Sequence, residues 1–271
     1  MTFTVMIFMT TTESRAAGPE ELTEARAALA AERRRVAALS LFARRMSHDM
    51  SNFVTVVRTY SELLLADLPP QGTTHADVQE IHRAADAMID YMHRIVRFAR
   101  SNGSRPGAVQ LDESIADTVR SSPFVDRVRV QLGSDATVFV DAGTLADSVR
   151  ELIANACEAS PTGSLVHVRT WRERITQPIV DGGMPIETGT WAVLELADEG
   201  PGFSEDVRAD ALDPFVTTKH AVRGAGFGLS LARSAAWNGG GQLVMDGPRE
   251  TLPGTRVRMW LPTPAEPHAQ S

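Results

Sequence analysis

Three residues in the stretch FARRMSHDMSNFVTVV (42–57) are of types that do chemistry: His48, the adjoining Asp49, and Asn52 one helical turn further on. A solvent-facing imidazole is a good nucleophile at cellular pH, and a neighbouring carboxylate can orient the ring or take its proton. That pair suits transient covalent chemistry, although a surface histidine without a role would show the same spacing. A second group lies downstream, where ELIANACEAS (151–160) sets Glu151, Asn155 and Glu158 on neighbouring turns of one helical run. A side-chain amide oxygen such as that of Asn155 is a ligand type that Mg²⁺ accepts alongside substrate phosphates; a solvated polar face would read alike. The run ADEGPGF (197–203) closes a strand-like segment with Asp198, Gly200 and Gly202. There a carboxylate could accept from an amine while glycine lets a ligand approach the backbone, and a plain turn is the competing reading. GAGFGLSLA (224–232) carries Gly224, Gly226 and Gly228 into a helical stretch, whose free amides and dipole favour phosphate. It is neither a dinucleotide fingerprint, since its third glycine comes too soon, nor a P-loop, since no Lys-Ser or Lys-Thr follows. Lys219 is the only lysine among 27 basic residues. A compact ammonium there would act as a point charge on terminal phosphates in a way that a forked guanidinium would not reproduce, with chance placement as the alternative.

The elements that must hold these groups follow from periodicity. Leu22, Leu29, Val36, Ala43, Met50, Val57 and Leu64 recur every seven residues, interleaved with Ala25, Leu39, Met46, Phe53 and Tyr60, and no glycine or proline falls between Glu20 and Leu68. One long helix with a sustained apolar seam is expected. Counted from Ala43, His48 takes the position farthest from that seam and points at water. PPQGTT (69–74) breaks the helix, and Val78, Ile81, Ala85, Met88, Met92, Ile95 and Ala99 then recur in steps of three and four. The two helices predict an antiparallel hairpin, which cannot cover both apolar stripes alone, so a dimeric four-helix bundle is expected. Met46, Met50, Met88 and Met92 are assigned to seam positions, and His75, His82 and His93 to the surface or the flank of the seam.

Beyond residue 106 the texture becomes strand-like in VRVQL, TVFV, LVHVRTW, WAVLELAD, GQLVMD and RVRMWLP, with helical runs near 111–121, 143–159 and 228–237. This predicts an α+β sandwich, a sheet with helices on one face. QPIVDGGMPIETG (177–189) reads as a loop or hairpin excursion, and Cys157 as a small core residue. The expected organisation is a disordered 1–19, a helical hairpin over 20–104, an α+β domain over 105–263, and a tail over 264–271, with a hinge at 101–107.

Composition narrows the classes. The 27 basic residues are outnumbered by 34 acidic ones without a basic block, which argues against nucleic acid as a partner. A single cysteine excludes an intrachain disulfide and a thiolate metal cluster, and fits a reducing cytosol. The apolar opening FTVMIFM is too short to span a bilayer.

Taken together the motifs resemble a known family. SHDMSNFVTVVRTYSELL is similar to the phosphoacceptor box of sensor histidine kinases, in the variant where His-Asp precedes an asparagine, with Phe53 where many members carry proline. Asn155, then Asp198 with Gly200 and Gly202, then DPFVTTK, then Gly224, Gly226 and Gly228 resemble the N box, first glycine box, phenylalanine box and second glycine box of the Bergerat-fold (GHKL-type) ATP-binding domain shared with gyrase, MutL and Hsp-type chaperones. The resemblance spans roughly 40–262. It implies ATP and Mg²⁺ as cofactors, His48 as the phosphorylated residue, Asp49 as an aid to proton removal, and Asn52 as a residue that positions water to dephosphorylate a partner. It further implies that Asn155 chelates Mg²⁺, Asp198 reads adenine with Thr255 beneath it, Glu151 polarises the water around the metal, and 204–225 forms a lid carrying Lys219; His220 takes the bland reading, its place in the lid being the sole reason to set it near phosphate. The partners implied are a response-regulator receiver domain and a second copy of the chain, with input arriving through the 20–45 coiled coil or a sensory partner protein. A scaffold or phosphotransfer protein with a decayed ATP domain is the alternative; a Bergerat-fold serine kinase would need neither the hairpin nor His48.

Overall fold

The computed structural model describes residues 19–101, 105–180, 185–203, 228–246 and 254–264, with side chains from Ala37 onward. The chain divides into two compact units, Met1–Ala38 and Leu39–Ser271. The described part of the first is the start of helix α1, Pro19–Asp67, as the absence of internal glycine and proline predicts. Helix α2, Thr73–Ser101, follows after a short turn. Among the described residues no helix is long and apolar enough to cross a membrane.

The hairpin uses two faces of α1, where the sequence pattern reads as one. Ser47, Val54 and Ser61 repeat at seven-residue spacing, Ser47 and Ser61 are buried, and Ser61 Oγ lies 2.9 Å from His82 Nδ1 of α2. That flank therefore faces α2, which returns Val78, Ala85, Met92 and Ala99 at the same spacing, all buried. The expected seam is the other face: Leu39, Met46, Met50, Phe53, Val57, Tyr60 and Leu64 are exposed in the single chain, as are Ile81 and Met88. Met46, Met50 and Met88, assigned to seam positions, are thus exposed within one chain and lie on the stripe that the expected second copy would cover; small serines admit the close approach of α2 and leave this larger apolar stripe uncovered.

The rest of the second unit is an α+β sandwich. A five-stranded sheet runs in the order β2 (Val128–Gln131), β4 (Val166–Ile175), β7 (Gly189–Ala197), β9 (Arg256–Pro262) and β8 (Gln242–Asp246), antiparallel except between β2 and β4. β1 (Gly107–Gln110) pairs with β3 (Thr137–Val140), and the two-residue strands β5 (Ile179–Val180) and β6 (Pro185–Ile186) form the expected excursion. Helices α3 (Leu111–Arg120), α4 (Ala142–Ala159) and α5 (Gly228–Asn238) lie on one side of the sheet. Their apolar faces and that side of the sheet share one core, including Ile115, Leu145, Ile153, Leu194, Met259 and Cys157. The other side carries a smaller cluster of Val193, Val244 and Trp260 beneath Ile186. Helix α4 starts where the Asp141 carboxylate accepts from the Thr144 backbone N–H at 2.8 Å, satisfying one of the orphan donors of the first turn.

Candidate functional site

His48 follows buried Ser47, so its ring leaves the hairpin on the solvent side, and 74% of its side chain is exposed. Nδ1 lies 3.2 Å from Asp49 Oδ1. With the ring N–H donating to that carboxylate, Nε2 keeps its lone pair directed away from Asp49. Asn52, one turn along, is exposed as well. Two cross-hairpin pairs fix the level of this site along the bundle: Arg58 Nε donates to Asp86 Oδ1 at 2.6 Å and Ser61 meets His82. In an antiparallel pair the two residue numbers keep a constant total, which puts Ile95 and Val96 of α2 opposite His48.

In the sandwich, one row of α4 organises the second group. Glu151, Asn155 and Ala159 stand at i, i+4 and i+8, on a single face. Gly228, the first residue of α5, sits so close that an added Cβ would be 2.5 Å from Asn155 Nδ2 and 3.5 Å from Glu151 Cβ. One turn on, a Cβ at Gly200 would meet Ala159 Cβ at 3.1 Å and Asp198 Oδ1 at 3.0 Å. The structure thus brings Asn155, Gly228, Gly200 and Asp198 along one wall, with the amide-rich start of α5 beside an amide side chain. Glycine is what lets these backbones close on α4.

Asp198 directly follows β7 and is half-buried. Its Oδ1 accepts from the Gly200 N–H at 2.8 Å and the Thr255 N–H at 3.0 Å, while its own N–H donates to the Thr255 carbonyl at 2.9 Å. Burial pushes its carboxyl up, opposed by the bonds from Gly200 and Thr255. Thr255 is therefore the direct partner of Asp198, at the head of β9. Gly202 holds φ +76°, which a residue with a Cβ rarely adopts. A half-buried carboxylate beside bare backbone fits an adenine-type amine. An amide oxygen beside a helix N-terminus fits a phosphate-bound divalent cation.

The Glu151 carboxylate turns out of this wall. Arg97 of α2 donates to its Oε1 at 2.7 Å and Arg94 approaches its Oε2 at 3.6 Å. Nearby, Asn238 Nδ2 donates to the Ser101 carbonyl at 2.6 Å and Ser101 Oγ donates to Ser234 Oγ at 3.1 Å, tying the end of α2 to α5. Sequence reasoning passed over Arg94 and Arg97; their only signal is a row of arginines three apart, with Arg100, on an amphipathic helix. Lys219, His220, Gly224, Gly226 and the expected lid over 204–225 lie outside the described residues, as do residues 102–104 of the expected hinge.

Residues 140–265 match the family described as "Histidine kinase-, DNA gyrase B-, and HSP90-like ATPase". The chain is 25% identical over 237 residues to the sensor kinase CckA of Brucella abortus (strain 2308), a match covering 86% of this chain and 25% of that protein. It is 29% identical over 229 residues to the signal transduction histidine-protein kinase/phosphatase MprB of Mycobacterium sp. (strain KMS), covering 79% of this chain and 42% of that protein. The chain thus spans less than half the length of both relatives. In fold it is similar to full-length ShkA, crystallised in complex with AMPPNP, with a TM-score of 0.55 at 19% identity over 82% of this chain and 45% of that one.

Proposed function

We propose that the chain, whose residues 140–265 match the histidine kinase-, DNA gyrase B- and HSP90-like ATPase family, is a sensor histidine kinase with a GHKL-type ATP-binding domain, that it phosphorylates its own His48 from MgATP, and that it passes the phosphoryl group to a response-regulator aspartate. The observation that carries this reading is His48 itself, exposed on a packed helix with Nδ1 3.2 Å from Asp49. Nε2 attacks the terminal phosphorus as the bond to the ADP oxygen breaks, and the charge that develops on the ring is offset by Asp49, which holds or takes the Nδ1 proton. Asp198 and Thr255 receive the adenine, and backbone N–H groups at the start of α5 receive phosphate. Asn155 would hold Mg²⁺, which neutralises phosphate charge when bound. Lys219, Gly224 and Gly226 are assigned to the phosphate side on sequence alone. Asn52 orients water for hydrolysis of the regulator's phosphoaspartate. The kinase works as a homodimer in the cytosol, its input reaching α1 from a sensory partner.

The test is incubation with γ-labelled ATP and Mg²⁺, reading acid-labile label in wild type, His48→Ala and Asn155→Ala. Label is expected in wild type alone; label persisting in His48→Ala moves the acceptor elsewhere. Calorimetric titration showing no MgATP affinity in wild type would leave a scaffold. Asn52→Ala should keep its label and dephosphorylate the regulator more slowly, and an unchanged rate refutes that role.

A further inference from the structure

We propose that Arg94 and Arg97 are positioning residues, which clamp Glu151 so that the nucleotide-binding wall of α4 is held at the level of His48. The inference rests on the kinase reading above and concerns how the site is aimed. Arg94 and Arg97 bracket Ile95 and Val96, the residues opposite His48, so the clamp and the acceptor share one level of the hairpin. The carboxylate they grip belongs to the row that also carries Asn155, one turn away. Side-chain exposure is 13% for Glu151 against 37% for Arg97 and 31% for Arg94. A carboxylate so covered, held by two guanidinium groups, is not a loose surface pair, and removing the cations would leave an uncompensated charge at the contact. The second tie, from Ser101 to Ser234 and Asn238, fastens α5 to the same helix. Both helices that build the nucleotide wall are therefore anchored to α2. A two-fold axis along the bundle would put the second chain's His48 at the same level, so the clamp serves transfer within or between chains alike.

This assigns Glu151 to docking, where the family resemblance implies a place in the metal-water network. Positioning is a large share of phosphoryl-transfer catalysis, and a misplacement on the order of 1 Å can cost about 10²-fold in rate.

The test uses the full chain. Arg97→Glu should lower the autophosphorylation kcat about tenfold or more with MgATP affinity unchanged, and Arg97→Lys should recover part of it. Adding Glu151→Arg to Arg97→Glu should restore most of the rate by exchanging the charges. Small-angle scattering should show a larger radius of gyration for Arg97→Glu than for wild type, and raised salt should narrow that difference. Three outcomes overturn the proposal: wild-type kcat in Arg97→Glu, a faster rate, which would make the contact a brake, or loss of nucleotide affinity in Glu151→Arg, which would return the carboxylate to the ATP site. A wild type that takes up no label defeats the kinase reading instead, and the scattering comparison still decides whether the clamp exists.

Discussion

Gly254 lies directly against Asp198: a Cβ added to Gly254 would run into the Asp198 carbonyl oxygen and come within 3.1 Å of Glu199 Cα. Its φ of +99° is also one that L side chains avoid. The close passage is what lets Thr255, the next residue, accept from the Asp198 N–H at its carbonyl at 2.9 Å and donate its own N–H to the Asp198 carboxylate at 3.0 Å. Gly254→Ala should destabilise the fold by at least about 2 kcal/mol, combining backbone strain with the clash. Thermal unfolding checks this against Gly107→Ala, where an added Cβ meets nothing within 4 Å. Equal melting temperatures for the two variants would contradict it.

Asp198 should bind nucleotide at the expense of stability. Its folded carboxyl is pushed up by burial. Between the ordinary aspartate range and that raised value the folded chain keeps a proton that the unfolded chain has released, so stability falls as pH rises through that window and the penalty is complete above it. Asp198→Asn keeps an oxygen for the Gly200 and Thr255 N–H groups and removes the penalty. Its melting temperature should match or exceed wild type at pH 7, and the difference should close below the ordinary aspartate range. ATP affinity should meanwhile fall about 10- to 100-fold, the worth of a charged hydrogen bond. A destabilised variant that still binds ATP normally would refute the assignment.

Gly228→Ala separates folding from binding in another way. The group its Cβ would crowd, Asn155 Nδ2 at 2.5 Å, is the end of a side chain that can turn aside. Alanine also improves helix propensity by up to about 1 kcal/mol. The variant should unfold no earlier than wild type while MgATP affinity drops about tenfold, because Asn155 leaves its place. Titration with ATP in Mg²⁺ and in EDTA locates the loss: it should shrink when the metal is absent. An undiminished loss in EDTA would place Asn155 away from the metal.

The clearest signals in the sequence were those in which one physical cause acts locally. The span of α1 follows from the lack of any glycine or proline between Glu20 and Leu68, and the five strands of the main sheet follow from short runs rich in apolar and β-branched residues. β1 went unread because four residues, one of them glycine, earn their strand state only by pairing with β3, a long-range contact. The α2-facing side of α1 was hidden because Ser47 and Ser61 carry no hydrophobic signal. Asp198, Gly200 and Asn155 are legible as the proposed nucleotide site only through their order. Ala159, which a Cβ added at Gly200 would meet, and Gly254 are not, since both act by leaving room. Arg94 and Arg97 were invisible for a different reason: their partner is 54 residues away for Arg97, on another helix.

The exposed stripe of α1 calls for a second chain. Leu39, Phe42, Met46, Met50, Phe53, Val57, Tyr60 and Leu64 follow one another in steps of three and four, and Phe53 is 71% exposed. A contiguous apolar row of this length is rare on a monomer and marks an interface. Ile81 and Met88 of α2, also exposed, are spaced to join the same surface. Packed against its copy, the stripe becomes the core of a four-helix bundle. Phe53→Glu places a carboxylate in that core and touches none of the bonds that hold α1 to α2, such as Arg58 to Asp86. Sedimentation should show wild type as a dimer and Phe53→Glu shifted to monomer at micromolar concentration, with helix content by circular dichroism little changed. Arg58→Ala, on the other flank, should leave the dimer intact. A Phe53→Glu protein that sediments as wild type would mean the stripe meets some other surface.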